Sequence, residues 1–144
     1  MNWDDNWTVN VMRRNILVAL VVLLAVGSAR AEWTNDTDAG YYSNVIITDI
    51  SNGQIDGYSY FCIKVKNKST VSMCAGNNKG SVWSASYETL YKQALFFYST
   101  GQKIRVYTKE NVWKYDKFVA FYGSQYLTGI STCNADGECF GPTK

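Results

Sequence analysis

SYETLYKQALFFYSTG, residues 86–101, is the one helical passage in a chain otherwise patterned for strands. Tyr87, Leu90, Tyr91, Ala94, Leu95 and Tyr98 recur at the three- and four-residue spacing of a helix face. Ser86 stands where a side-chain N-cap belongs, and Gly101 where a left-handed residue ends a helix. Phe96 and Phe97 widen the apolar face, which calls for a second cover: a neighbouring subunit, or a deeper core of the same domain.

Outward from the helix the period changes to two. Alternating apolar and β-branched runs predict strands at NVIITDI (44–50), YSYFCIKVK (58–66), STVSMCA (69–75), KIRVYT (103–108) and YLTGIST (126–132). The fold class is therefore mainly β, five strands with one α-helix between strands 3 and 4. That is the order of a five-stranded OB-fold barrel, a partly open Greek-key design, although small β-sandwiches share the strand count.

Upstream, MRRNILVALVVLLAVGSARA (12–31) has two arginines, an eleven-residue apolar core from Ile16 to Val26 and the small-residue ending Ala29-Arg30-Ala31. This is the layout of a secretory signal peptide, and its core is too short for a comfortable membrane span. Residues 1–11 are polar and acidic and precede the basic region, so they read as a start-site artefact with Met12 as the start. Residues 32–144 are then a single exported domain with no transmembrane segment. It carries eleven basic and ten acidic residues, and the chain has no histidine. So weak a positive balance gives little drive toward nucleic acid or anionic membrane.

The four cysteines, Cys62, Cys74, Cys133 and Cys139, all lie in the exported part, where disulfides form and persist. Three pairings are possible. The two local ones, Cys62 with Cys74 and Cys133 with Cys139, are favoured because short loops close most easily, each contributing about 2–4 kcal/mol. A four-thiolate metal site is disfavoured by the lack of paired Cys-x-x-Cys knuckles.

Without histidine, Ser-His-Asp and Cys-His catalysis and the commonest metal ligand are absent. Acidic residues such as Asp36, Asp38, Glu110 and Asp116 are scattered through apparent loops, where a paired-carboxylate mechanism finds no support. No phosphate-cradling glycine motif occurs. The chain reads as a binding module rather than an enzyme, needing no cofactor or metal. Carbohydrate suits its aromatic content: tyrosine rings cover the C–H faces of sugars, short polar side chains meet their hydroxyls, and acidic sugars bring a carboxylate. In DAGYYSNV (38–45), an extended strand places Tyr41 and Ser43 on one face and Tyr42 on the other, whereas a turn exposes all three.

EWTNDTDAGYYS (32–43), GQID, YFCIK, SVWSAS, FFYSTGQKIRVY, NVWKY and STCNADGECFGP (131–142) follow one another in an order that resembles the B subunits of the subtilase cytotoxin and pertussis-like typhoid toxin group. The resemblance spans nearly all of residues 32–142. It implies an oligosaccharide-binding barrel assembled as a homopentamer that binds host sialoglycans and delivers a catalytic A subunit docked at a helix-lined channel. A secreted β-domain that binds or inhibits protein through its helix face, without sugar specificity, is the alternative.

The same resemblance implies a glycan site. Ser43 carries over as the serine that contacts the sialic acid carboxylate, flanked by Tyr41 and Tyr42. Lys66 and Lys68 are both candidates for a pocket lysine, because CIKVKNKSTVSMC is shorter than in relatives. Ser69 or Thr70 supplies a second hydroxyl, and Arg105 sits close by. Thr108 stands where the subtilase cytotoxin has a tyrosine suited to the N-glycolyl hydroxyl, which implies at least equal acceptance of N-acetylneuraminic acid.

Overall fold

The computed structural model describes residues 39–143. The expected leader, residues 1–11 and the first residues of the exported chain lie outside the described residues. In chain order the elements are β1 (Ala39–Ile55), β2 (Tyr58–Lys66), β3 (Thr70–Asn77), a 3-10 turn (Ser84–Ser86), α1 (Tyr87–Thr100), β4 (Ile104–Lys109), α2 (Asp116–Tyr122) and β5 (Tyr126–Thr132). The strands close into a barrel in the order β1-β2-β3-β5-β4. All neighbours run antiparallel except β3 and β5, which meet in parallel at Cys74 and Tyr126. This is the expected five-stranded barrel with its helix between strands 3 and 4.

Closure depends on β1, whose 17 residues serve two partners. Ala39 to Val45 pair with β4, and Ile46 to Ile55 pair with β2. Irregularities between Tyr42 and Val45, and between Ile47 and Asp49, bend the strand from one partner to the other. At the first, Asn44 adopts φ 56°, a left-handed conformation that asparagine tolerates better than most side chains.

The core lies between the barrel wall and α1. Phe61, Ile63, Val65, Met73, Ile104, Val106 and Leu127 are among its fully buried side chains. From α1, Tyr87, Leu90, Ala94 and Phe97 enter it, and Phe61 meets the Tyr87 and Tyr91 rings at 5.5 and 5.1 Å. Phe97 thus takes the place expected of Leu95 and Tyr98, which are exposed along with Phe96. Gly101 ends the helix as expected, at φ 64° with its N–H donating to the Phe97 carbonyl over 3.0 Å. Ser86 makes no capping bond: the 3-10 turn feeds the helix in a right-handed conformation, whereas a side-chain N-cap uses an extended one.

At the other end of the core, Trp113 donates from its indole nitrogen to the Cys74 carbonyl (3.2 Å) and packs on Phe118 of α2, ring centroids 4.6 Å apart. The buried Tyr126 hydroxyl accepts from the Gly76 N–H at 3.0 Å, and burial raises its pKa despite the opposing effect of that bond. Disulfides join Cys62 to Cys74 across the β2–β3 pair, and Cys133 to Cys139 just beyond β5. All four cysteines are used, which removes the thiolate metal site. Among the described residues no helix is long and apolar enough to cross a membrane.

Candidate functional site

Directly opposed residues on paired strands share a face. Tyr41 opposes Tyr107 on the outer face of the β1–β4 seam, while Tyr42 opposes Val106 and packs against the core. After Tyr42 the register shifts, so Ser43 and Asn44 on β1 face Arg105 alone on β4. The bulge aims Ser43 at that arginine, and Arg105 Nε donates to Ser43 Oγ at 2.8 Å.

Arg105 is 7% exposed. Its Nη1 donates to the carbonyls of Gly141 (2.9 Å) and Pro142 (3.3 Å), and its Cζ lies 5.1 Å from the centre of the Tyr41 ring. Every one of these partners is neutral, and the ion pair of Lys64 with Asp49 lies elsewhere. Among the described residues Arg105 meets no counter-charge, and a buried cation in that position is costly, by several kcal/mol after relaxation. The cation–π contact and two carbonyl dipoles offset part of that and leave a local excess of positive potential beside a half-buried hydroxyl. The site can therefore receive an anion.

The β2–β3 turn forms the neighbouring wall. Asn67 Nδ2 donates to the Ser43 carbonyl at 3.3 Å, and its N–H to the Ser69 carbonyl at 3.1 Å. This carries the exposed residues Lys66, Lys68, Ser69 and Thr70 on the turn that abuts Ser43. Behind the bulge, Asn44 Nδ2 donates to the Gly137 carbonyl at 2.8 Å. Tyr107 donates to the Pro142 carbonyl at 3.2 Å, beside Arg105.

The structure thus brings Tyr41, Ser43 and Arg105 together, with the turn bearing Lys66, Lys68, Ser69 and Thr70 against Ser43. It does not bring Tyr42 or Thr108 there. Tyr42 turns inward, its hydroxyl accepting from Gln125 Nε2 at 2.8 Å. Thr108 is 2% exposed and opposes Gly40 on the inner face, with Oγ1 only 3.3 Å from where a Cβ on that glycine would lie. Asn67, Tyr107 and the carbonyls of Gly141 and Pro142 had no signal in residue type: an asparagine in a turn reads as a turn former, and backbone acceptors leave no mark in a sequence.

The fold and this arrangement define a class: a small disulfide-tied barrel of the oligosaccharide-binding type, with a hydroxyl, an aromatic face and a sequestered guanidinium grouped on its outer wall. The chain belongs to the family of the pertussis toxin subunit 2 and 3 C-terminal domain, whose model matches residues 29–139. The B subunit of the Escherichia coli subtilase cytotoxin is 45% identical over 136 residues, covering 93% of this chain and 96% of that protein. Among solved structures, a chain of the subtilase cytotoxin SubAB assembly is 50% identical with TM-score 0.69, covering 77% of this chain and 100% of that one. A mutant homopentamer of Salmonella typhi PltB with Neu5Ac-α2,3-Gal-β1,4-GlcNAc glycans is 41% identical with TM-score 0.71, covering 78% and 100%.

Proposed function

We propose that this chain is the receptor-binding component of a secreted bacterial toxin, exported through the periplasm, assembling as a homopentamer and binding host sialylated glycans to deliver a catalytic A subunit. It is not itself an enzyme. The observation that carries the sugar reading is Arg105, a buried cation whose partners among the described residues are all neutral, hydrogen-bonded to the Ser43 hydroxyl. A sialic acid carboxylate supplies the missing negative charge. Ser43 donates to it, Tyr41 covers an apolar face of the sugar ring, and Lys66, Lys68, Ser69 and Thr70 reach its hydroxyls and glycerol chain from the β2–β3 turn.

Tyr42 contributes by supporting the seam from within. The inward position of Thr108 offers no hydroxyl for an N-glycolyl group, so N-acetylneuraminic acid is accepted at least equally well. The exposed Leu95, Phe96 and Tyr98 of α1 find their cover in the pentamer, at the channel that holds the A subunit.

Binding of the mature protein and of Ser43→Ala to immobilised sialylated glycans and their desialylated counterparts, with sedimentation of both, tests the reading. The expected result is a pentamer whose sialic-acid-dependent binding is lost in the variant. A folded monomer that binds neither glycan set would overturn it in favour of a protein-binding β-domain.

A further inference from the structure

The C-terminal segment after β5 lies against the seam at three points, and all three lead to the Ser43–Arg105 pair. The Cys133–Cys139 disulfide closes a loop in which Asn134 and Glu138 bond to each other through backbone and side chain. Phe140 N–H then returns to the Thr132 carbonyl at 2.9 Å, fixing the exit of the chain from β5. From this anchored loop the Gly137 carbonyl holds Asn44, next to Ser43, and the Gly141 and Pro142 carbonyls hold Arg105 Nη1. The fit is close at Gly141, where a Cβ would lie 2.3 Å from the Tyr107 hydroxyl and φ is 129°. Only glycine lets the backbone pass there.

We infer that the segment Gly137–Pro142, pinned by the Cys133–Cys139 bridge, is a positioning element that presents Arg105 and Ser43 to an anionic ligand. The inference rests on the carboxylate reading of that site. A free arginine side chain samples many rotamers, and ordering one on binding costs affinity. Here the carbonyl clamp on Nη1 and the tyrosine face fix the guanidinium beforehand. Because these ligands are neutral, they orient the cation without neutralising it, which an acidic residue in their place would do. Gly141 and Pro142 touch Arg105 rather than the ligand, so they act through it.

A coupling measurement separates this role from a merely structural one. The mature pentamer and a truncation ending at Phe140, which keeps both disulfides and removes the carbonyl clamp, are titrated with a soluble sialylated trisaccharide as the free acid and as its carboxyl methyl ester. The parent is expected to favour the acid by about tenfold or more, the value of one charge-assisted hydrogen bond. In the truncation that preference is expected to fall below about threefold, with binding of the ester nearly unchanged. If the parent itself fails to distinguish acid from ester, the carboxylate reading falls. A parent that discriminates and a truncation that keeps the full discrimination overturn the positioning role. Should the truncated chain not fold, Gly141→Ala, which keeps every carbonyl but displaces the tail from Tyr107, decides by the same comparison.

Discussion

Replacing Arg105 by methionine separates what the guanidinium does for the fold from what it does for a ligand. In the folded protein the side chain is 7% exposed and bonded to Ser43, Gly141 and Pro142, all uncharged. Methionine keeps much of the volume, and both carbonyls lie on exposed residues where water can replace the lost donor. Removing an uncompensated charge also relieves desolvation, as replacing buried ionic groups with apolar ones of similar size is often neutral or stabilising. The net change in stability is expected to stay within about 1 kcal/mol, which for a domain of this size is a midpoint shift of about 4 °C in either direction. Binding behaves differently. A hydrogen bond to a charged group contributes about 1.5–3 kcal/mol, so affinity for a sialylated trisaccharide falls about 10- to 150-fold. Thermal unfolding and calorimetric titration with the monovalent trisaccharide, on the same sample, read both numbers. A variant that melts more than about 10 °C lower yet still prefers the acid over its methyl ester as the parent does would show Arg105 to be a structural tie, and the argument from its missing counter-charge would fail.

Burial raises the pKa values of Tyr126, Tyr87 and Tyr60 above 10.0. A phenol held neutral in the fold contributes stability that is complete below the unfolded value and lost as pH rises through the folded one, so the urea midpoint should be flat from about pH 7 to 9 and decline above about 10. Tyr126→Phe should flatten part of that decline, and an unchanged alkaline slope would exclude its contribution. Gly101→Ala forces a Cβ onto the left-handed C-cap of α1 and is expected to lower stability by about 1 kcal/mol in chemical denaturation; a stabilised variant would contradict the φ of 64°. Cys62→Ala with Cys74→Ala removes a bridge of sequence separation 12 and should destabilise by about 3 kcal/mol, whereas a loss below about 1 kcal/mol would show that the β2–β3 ladder alone holds that seam.

The barrel was readable because most of its elements are long and periodic. β2 and β5 match their expected spans residue for residue, and α1 runs between the expected flanking residues Ser86 and Gly101. The beginning of β1 was less readable. Ala39 to Tyr42 carry mixed residues whose strand character comes from pairing with β4, where Ala39 meets Lys109 and Tyr42 meets Val106, and no local pattern reports a partner at that distance. α2 escaped notice because DKFVAFY spans only two turns and sets apolar residues on all sides. In the site, a strand and a turn both suited Tyr41, Tyr42 and Ser43 from sequence; pairing with β4 decides for the strand and parts Tyr42 from its neighbours. The bulge at Asn44 could be suspected from an asparagine inside a strand, but its effect, two residues facing Arg105, exists only once the register is known.

The site is economical in a physical sense because barrel closure and ligand presentation use the same backbone. β1 must bend near residue 44 to leave β4 and join β2, and that bend turns the Ser43 hydroxyl onto Arg105. In the proposed site Tyr41, Ser43 and Arg105 sit on strands rather than a free loop, so these three would lose little ordering entropy when a sugar arrives. One hydroxyl, one guanidinium and one ring on an outer wall still give a shallow contact, too small for tight binding alone. In the proposed pentamer, repeating it five times around a closed ring would supply the remainder, because after the first contact the others are intramolecular and avidity can exceed single-site affinity by about 10²–10⁴-fold. Rigid placement would matter more in such a ring than in a monomer: each site would have to meet a membrane glycan at a fixed distance from the next, and the carbonyl clamp on the Arg105 guanidinium would hold it in the same place in every copy.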